Sequence, residues 1–196
     1  MNTAQPIRKI GDLEKIKEYY RTDEPNIRNE LLIIMGLNTA LRISDILNLR
    51  WDMVYDFEKK EYRSHILLTE QKTGKASNIY INQRIKRVLK KYQITQKQNG
   101  TPINPGIYLF CHQETNRPIS RIQAYRIIKK AAEECNISGV VSCHSLRKTF
   151  GYHAWKQGVS PVMLMNIYNH SSYQITKRYL GIEQDDRDKI FQHINL

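Results

Sequence analysis

The chain has 196 residues, enough for one domain with a buried core, and its composition is that of a globular protein at 40% hydrophobic and 26% charged. Its 31 Lys and Arg against 19 Asp and Glu leave a net charge of +12, which points first to nucleic acid and second to an anionic membrane surface. Three cysteines, 111, 135 and 143, without a Cys-x-x-Cys spacing argue against a disulfide framework and against zinc, and fit a reducing cytoplasm. The longest apolar run, Leu31 to Leu37, is too short to span a bilayer, and the first residues lack the apolar core of a signal peptide.

In chain order, the spacing predicts a short amphipathic helix over 10–21, with Ile10, Leu13, Ile16 and Tyr20 inward. Asp23 and Pro25 read as a break and a restart, followed by a buried helix from about Asn26 to Thr39. Ser44 or a neighbour is expected to cap the next helix, with Ile46, Leu47 and Leu49 facing the core. Arg42 stands three residues before Asp45, so a bidentate pair between them is expected to hold the guanidinium.

Residues 53–81 read as a small antiparallel sheet: Met53 to Asp56, Ser64 to Glu70, and Ala76 to Ile81. Gln71 to Lys75 contains a glycine and forms the turn of a hairpin, placing Lys72 at its tip with Lys75 as its rival. Gln83 to Gln98 is a basic helix carrying Arg84, Lys86, Arg87, Lys90, Lys91 and Lys97. No acid occurs from Gln71 to Gln113, so these cations suit phosphates. Ser120 caps a helix to about Cys135, with Ile122, Tyr125, Ile128 and Ala132 expected inward.

A second acid-free run extends from Cys135 to Ile182 and holds Arg147, Lys148, Lys156, Lys177 and Arg178. His144 to Gln157 reads as a helix closed by Gly158, with His144 and Arg147 on one side of its first turn. Ser160 and Pro161 start a helix through Ile167, and His170 lies in the connection after it. Ser171 or Ser172 begins a short helix that carries Tyr179 and ends at Gly181. Among 12 tyrosines, Tyr179 is the strong nucleophile candidate with cationic neighbours. Residues 183–196 reverse the charge, and Ile190, Phe191 and Ile194 give them an apolar edge.

Arg42 in Thr-Ala-Leu-Arg-Ile-Ser-Asp, Lys72 in a hairpin, His144-Ser-Leu-Arg147, His170-Ser-Ser and Tyr179 nine residues on resemble the tyrosine recombinase (phage integrase) family. The resemblance implies a mainly α fold with a small antiparallel β-sheet, the family's catalytic domain, over 25–182. Residues 1–24 would be a lead-in helix, and no segment corresponds to the N-terminal DNA-clamping domain of longer members. The chain then reads as a fragment or as a naturally short recombinase. Residues 183–196 would be a tail packing on a neighbouring subunit.

The resemblance further implies a site-specific recombinase that works through a 3′-phosphotyrosyl bond without cofactor or metal. Tyr179 would be the nucleophile, Arg42 and Arg147 the phosphate clamps, and Lys72 the general acid. His144 would assist proton transfer and His170 would donate to the phosphate. Asp45 would orient Arg42. Lys75, Arg84, Lys86, Arg87, Lys148 and Lys177 are the expected DNA contacts. Double-stranded DNA is the implied partner, with self-association into a tetramer in the synapse, an accessory DNA-bending protein, a cytoplasmic setting and no membrane. A catalytically silent DNA-binding regulator and a type IB topoisomerase-like relaxing enzyme are the rival readings. Asn169 stands where the family usually has glycine, and Asn tolerates the left-handed backbone a glycine would take.

Overall fold

The structure is a computed structural model that describes residues 4–101, 103–112, 114–182, 187–188 and 191–194. Eight helices and three small hairpins make up those residues: α1 (Ile10–Thr22), α2 (Ile27–Asn38), α3 (Ile43–Leu47), α4 (Gln83–Gln98), α5 (Arg121–Glu134), α6 (Cys143–Lys156), α7 (Pro161–Tyr168) and α8 (Tyr173–Leu180). The hairpins pair β1 (Tyr55–Asp56) with β2 (Glu61–Tyr62), β3 (His65–Thr69) with β4 (Ala76–Tyr80), and β5 (Cys111–His112) with β6 (Arg117–Pro118), all antiparallel.

Helix α2 is the centre of the fold. Residues Leu31 to Met35 are buried all round it, the pattern of a helix enclosed by others rather than lying on a surface. It packs against α1, α4 and α6. Gly36 is its point of closest approach, because a Cβ there would come within 2.6 Å of the Leu146 side chain on α6. Asn26 caps α2 by accepting from the Asn29 N–H at 3.1 Å. The chain leaves α2 through Ala40, which sits at φ +55 in the left-handed region. That turn delivers Arg42 to the N-cap position of α3, whose side chain makes no capping bond; Ser44 is inside the helix.

The expected inward faces hold in part. Ile16 and Tyr20 of α1 are buried, but Ile10 is exposed. In α5, Ala124, Ile128, Ala131 and Ala132 are buried, while Ile122 and Tyr125 face solvent. The small alanines let α5 lie close to the core, and the inward stripe shifts onto them. Capping of α5 follows the sequence, with Ser120 and Gln123 forming a reciprocal capping box. The anticipated sheet over 53–81 resolves into separate hairpins, with a 3-10 turn at Trp51–Met53 in place of the first strand's start.

The segment before α1 is stitched to α6 and to the end of α8. Ile7 N–H donates to Thr149 Oγ1 at 2.8 Å, Lys148 Nζ donates to the Ala4 carbonyl at 2.8 Å, and Arg8 donates to the Gly181 carbonyl at 2.8 Å. Among the described residues no helix is long and apolar enough to cross a membrane. Of the acidic tail, Glu183, Asp185, Asp186, Lys189 and Ile190 lie outside the described residues, while Phe191 and Ile194 are exposed.

Candidate active site

Helix α6 begins in a capping box: Ser142 accepts from the His144 N–H, and Ser145 Oγ accepts from the Ser142 N–H. With the first turn fixed, His144 stays exposed and Arg147, one turn on, points inward to 3% exposure. Arg147 Nη2 donates to the Tyr168 carbonyl at 3.2 Å, and its Cζ lies 4.8 Å from the Tyr168 ring centre. Tyr168 returns the contact by donating its hydroxyl to the Arg147 carbonyl at 2.8 Å. The fit requires Gly151, since a Cβ there would stand 2.3 Å from the Tyr168 hydroxyl oxygen. Tyr168 is therefore a core residue that doubles as the floor of the site.

Helix α7 starts as the sequence indicates, with Ser160 accepting from the Met163 N–H and Pro161 in the first turn. It ends in Asn169 at φ 55 and ψ 39, the left-handed conformation anticipated for the family's glycine position. That turn stacks His170 on Tyr168, with ring centres 5.4 Å apart. Ser172 caps α8, and Tyr179 on its last turn packs edge-on to His170, 5.1 Å between centres, and 5.4 Å from Tyr168. His170 Nδ1 lies 3.0 Å from Thr176 Oγ1, a buried hydroxyl one helical turn before Tyr179. Gly181 at φ 69 closes α8. Three rings and one guanidinium thus share a single cluster built from α6, α7 and α8.

Arg42 joins it from the other side of the core. The expected pair with Asp45 does not form. Arg42 Nη1 instead forms an ion pair with Glu70, a buried carboxylate at the end of β3. Asp45 is buried as well, but its Oδ1 accepts from the Gln71 N–H at 3.0 Å, so it anchors the start of the β3–β4 turn. The signal for Glu70 was present in the strand: Ile66, Leu68 and Glu70 alternate on the inward face, so the period of two puts a carboxylate inside. Nothing local says that Arg42, 28 residues away, would be its partner.

The electrostatics show that these charges converge. Burial pushes the Tyr179 hydroxyl pKa up, against the pull of Arg147 and Arg42. Burial lowers the His170 pKa, and Arg147 and Arg42 lower it further. His144 keeps much of its surface in solvent, but the partial burial of its ring lowers its pKa, assisted by Arg147, Lys148, Arg121 and Lys72. Lys72 is exposed on the β3–β4 turn, so it reaches the site as a charge and not as a packed group.

The six expected catalytic residues thus fall into a tight group, Arg147, His170 and Tyr179, and a wider ring of Arg42, His144 and Lys72. The expected DNA contacts are more varied. Lys75 and Arg87 are exposed, and Lys86 is half-buried. Arg84 lies 4.0 Å from the Glu14 carboxylate. Lys177 lies 5.4 Å from the Tyr173 ring centre. Lys148 is turned inward: besides the Ala4 carbonyl, it sits 5.1 Å from the Tyr179 ring centre. Position 148 was expected to reach a DNA backbone, and it instead flanks the candidate nucleophile.

The sequence profile of the phage integrase family matches residues 11–185. The probable integrase/recombinase YoeC of Bacillus subtilis (strain 168) is 41% identical over 185 residues, covering 94% of this chain and 93% of that protein. Tyrosine recombinase XerA of Pyrococcus horikoshii is 26% identical over 159 residues, covering 80% of this chain and 51% of that protein, so the chain spans about half of that longer relative. Among solved structures, XerA recombinase superposes with a TM-score of 0.75 at 19% identity, covering 100% of this chain and 68% of that chain. XerH site-specific recombinase, bound to a palindromic difH substrate in a post-cleavage complex, gives 0.72 at 19% identity, covering 97% and 54%. The fold is that of a tyrosine recombinase catalytic domain, and the chain belongs to the phage integrase family.

Proposed function

We propose that this chain cleaves and rejoins DNA at specific sites through a covalent bond between Tyr179 and a 3′-phosphate. Tyr179 Oη would attack the scissile phosphorus, and the bond from phosphorus to the 5′-oxygen would break. The tyrosine proton would pass to His144, and Lys72 would supply a proton to the leaving 5′-oxygen. A 5′-hydroxyl from a second strand would then attack the phosphotyrosyl bond and release Tyr179. The main barrier is charge on the non-bridging oxygens, and Arg42 and Arg147 would hold it. Where Thr176 donates to His170 Nδ1, the Nε2–H of His170 is free to donate to the same phosphate. Lys148, lying over the Tyr179 ring, would favour the phenolate as it forms.

The observation that carries this reading is the packing of Tyr179 against His170 and Tyr168, with the Arg147 guanidinium on that same Tyr168 ring. It supports the reading because the residues proposed as nucleophile, phosphate clamp and hydrogen-bond donor share one cluster. Synapsis would require a tetramer, for which exposed Phe191 and Ile194 offer apolar groups to a neighbouring copy.

Suicide substrates drawn from fragments flanking the gene, nicked near the cleavage point, test the chemistry. Wild type, with chelator present, is expected to give a covalent adduct on a denaturing gel, and Tyr179→Phe none. An adduct that persists in Tyr179→Phe moves the nucleophile elsewhere. DNA binding without an adduct from wild type favours a silent binder. Recombinant junctions, as opposed to relaxed plasmid alone, separate strand exchange from topoisomerase action.

A further inference from the structure

Glu70 has no part in the chemistry above, yet it touches three parts of the site. The residue is 3% exposed and its carboxylate accepts from four donors. Oε1 accepts from Ser77 Oγ at 2.8 Å and from Asn169 Nδ2 at 2.9 Å. Oε2 accepts from Thr73 Oγ1 at 3.0 Å and from Arg42 Nη1. Each donor comes from a place that matters. Thr73 follows Lys72 within the β3–β4 turn, and Ser77 stands on β4 just after it. Arg42 stands at the start of α3. Asn169 immediately precedes His170. A carboxylate offers about four acceptor sites, so Glu70 is saturated, and its burial is met by three neutral donors and one charged partner.

We propose that Glu70 is a positioning residue for strand cleavage, locking Arg42, the Lys72 turn and, through the Asn169 side chain, the His170 turn into one frame. The proposal rests on the function read above. Asn169 is the informative member. Its backbone is left-handed, a conformation that glycine adopts without penalty, so the turn itself does not need an amide side chain. The bond to Glu70 gives that amide a purpose. It ties the segment holding His170 to the arginine on the opposite side of the site. Arg42 spends one nitrogen on Glu70 and keeps the rest of its fork for a phosphate. Glu70 could instead compete with the phosphate for Arg42, but displacing a carboxylate so buried would leave it without its charged partner. The two roles predict opposite rate changes.

Asn169→Gly and Glu70→Gln, compared with wild type on the suicide-substrate pool, provide the test. Asn169→Gly preserves the backbone turn and removes only the tether. It is expected to keep DNA affinity and slow single-turnover cleavage about tenfold, the order of one hydrogen bond to a charged group. Glu70→Gln presents an NH2 where donors already converge, and is expected to slow cleavage by about 10- to 100-fold. The double variant should be no slower than Glu70→Gln, because both changes break one linkage. Additive losses, or cleavage at or above the wild-type rate in either single variant with its melting temperature held, overturn the proposal.

A second readout needs no DNA. Titration of the His170 ring by NMR is expected to give a lower pKa in Glu70→Gln, where Arg42 is left uncompensated beside it, and Glu70→Asp is expected to restore the wild-type value. An unchanged His170 titration in Glu70→Gln overturns the proposal. If wild type forms no adduct on any substrate, the function reading fails, and this titration still decides the role of Glu70.

Discussion

The two arginines assigned to the phosphate are held in opposite ways. Arg42 is 17% exposed and paired with a buried carboxylate that three other donors also satisfy. Arg147 is 3% exposed; it bonds the Tyr168 backbone carbonyl, lies against the face of Tyr168 and acts on the Tyr179 hydroxyl. Its Nη1 is buried without a hydrogen-bond partner among the described residues. Burial lowers the Arg147 pKa, the mark of a cation held out of water. Arg42 is part of the folded frame, whereas Arg147 is kept hungry for an anion. A phosphate would complete the second site and only add to the first.

The comparison gives the largest expected effects. Arg147→Met and Arg42→Met should both abolish most adduct formation, by about 10²- to 10³-fold, the usual cost of losing one charge-stabilising donor. Their stabilities should move in opposite directions. Arg147→Met replaces a buried cation that lacks an ion-pair partner with an apolar side chain of similar length. It should leave the melting temperature unchanged or raise it. Arg42→Met strands Glu70 with three neutral donors and should cost about 1–3 kcal/mol. Thermal melts of the two proteins, side by side, check the signs. A stability loss in Arg147→Met as large as in Arg42→Met would mean that Arg147 is a structural cation and not a reserved one.

How much of this could be read beforehand depends on sequence distance. The His144–Arg147 pair, the Ser160-Pro161 start, the Gly181 stop and the left-handed Asn169 are all set within a few residues, and the sequence carries each signal locally. The partner of Arg42 is set by tertiary packing. Asp45 was the near carboxylate, but α3 directs it to the Gln71 amide, and the strand period brings Glu70 to the guanidinium. The outward Ile122 and Tyr125 were hidden for a similar reason, since periodicity marks a helix face without saying whether alanine or isoleucine lies against the core. The contact of Lys148 with Ala4 was not legible locally, because the two are 144 residues apart.

A second, smaller effect tests the two histidines of the site through pH. Burial lowers the His144 and His170 pKa values, so both rings remain neutral to below the ordinary value near 6.5. In the unfolded chain each would take up its proton at about that value. Folding therefore disfavours protonation of both rings. The stability they contribute is fully present above about pH 6.5, and is lost as pH falls through the folded values. Cleavage should follow the same direction: a neutral His144 can accept the Tyr179 proton, so the single-turnover rate should hold level through about pH 6.5 and drop only as pH falls through the lowered value of the folded ring. In His144→Gln the drop should shrink while the plateau falls. A rate that rises on acidification would remove His144 as the proton acceptor.

The smallest expected effect separates cations that grip DNA from those built into the site. Arg87 is exposed on α4, and its replacement by alanine should weaken binding about equally on all sequences, reducing the salt slope by about 1. Lys148→Ala should do the reverse. Its ammonium is committed to the Ala4 carbonyl and the Tyr179 ring, so the charge is spent inside the site and not on a backbone phosphate. Removing it should leave the salt slope unchanged and slow cleavage by about 3- to 10-fold, the scale of a partly buried cation–π contact. Binding measured across a salt series, with cleavage measured at saturating protein, distinguishes the two. Were Lys148→Ala to shift the slope as Arg87→Ala does, the inward contact would have to open whenever DNA arrives. The stitching of the first residues to α6 would then be a feature of the free protein alone.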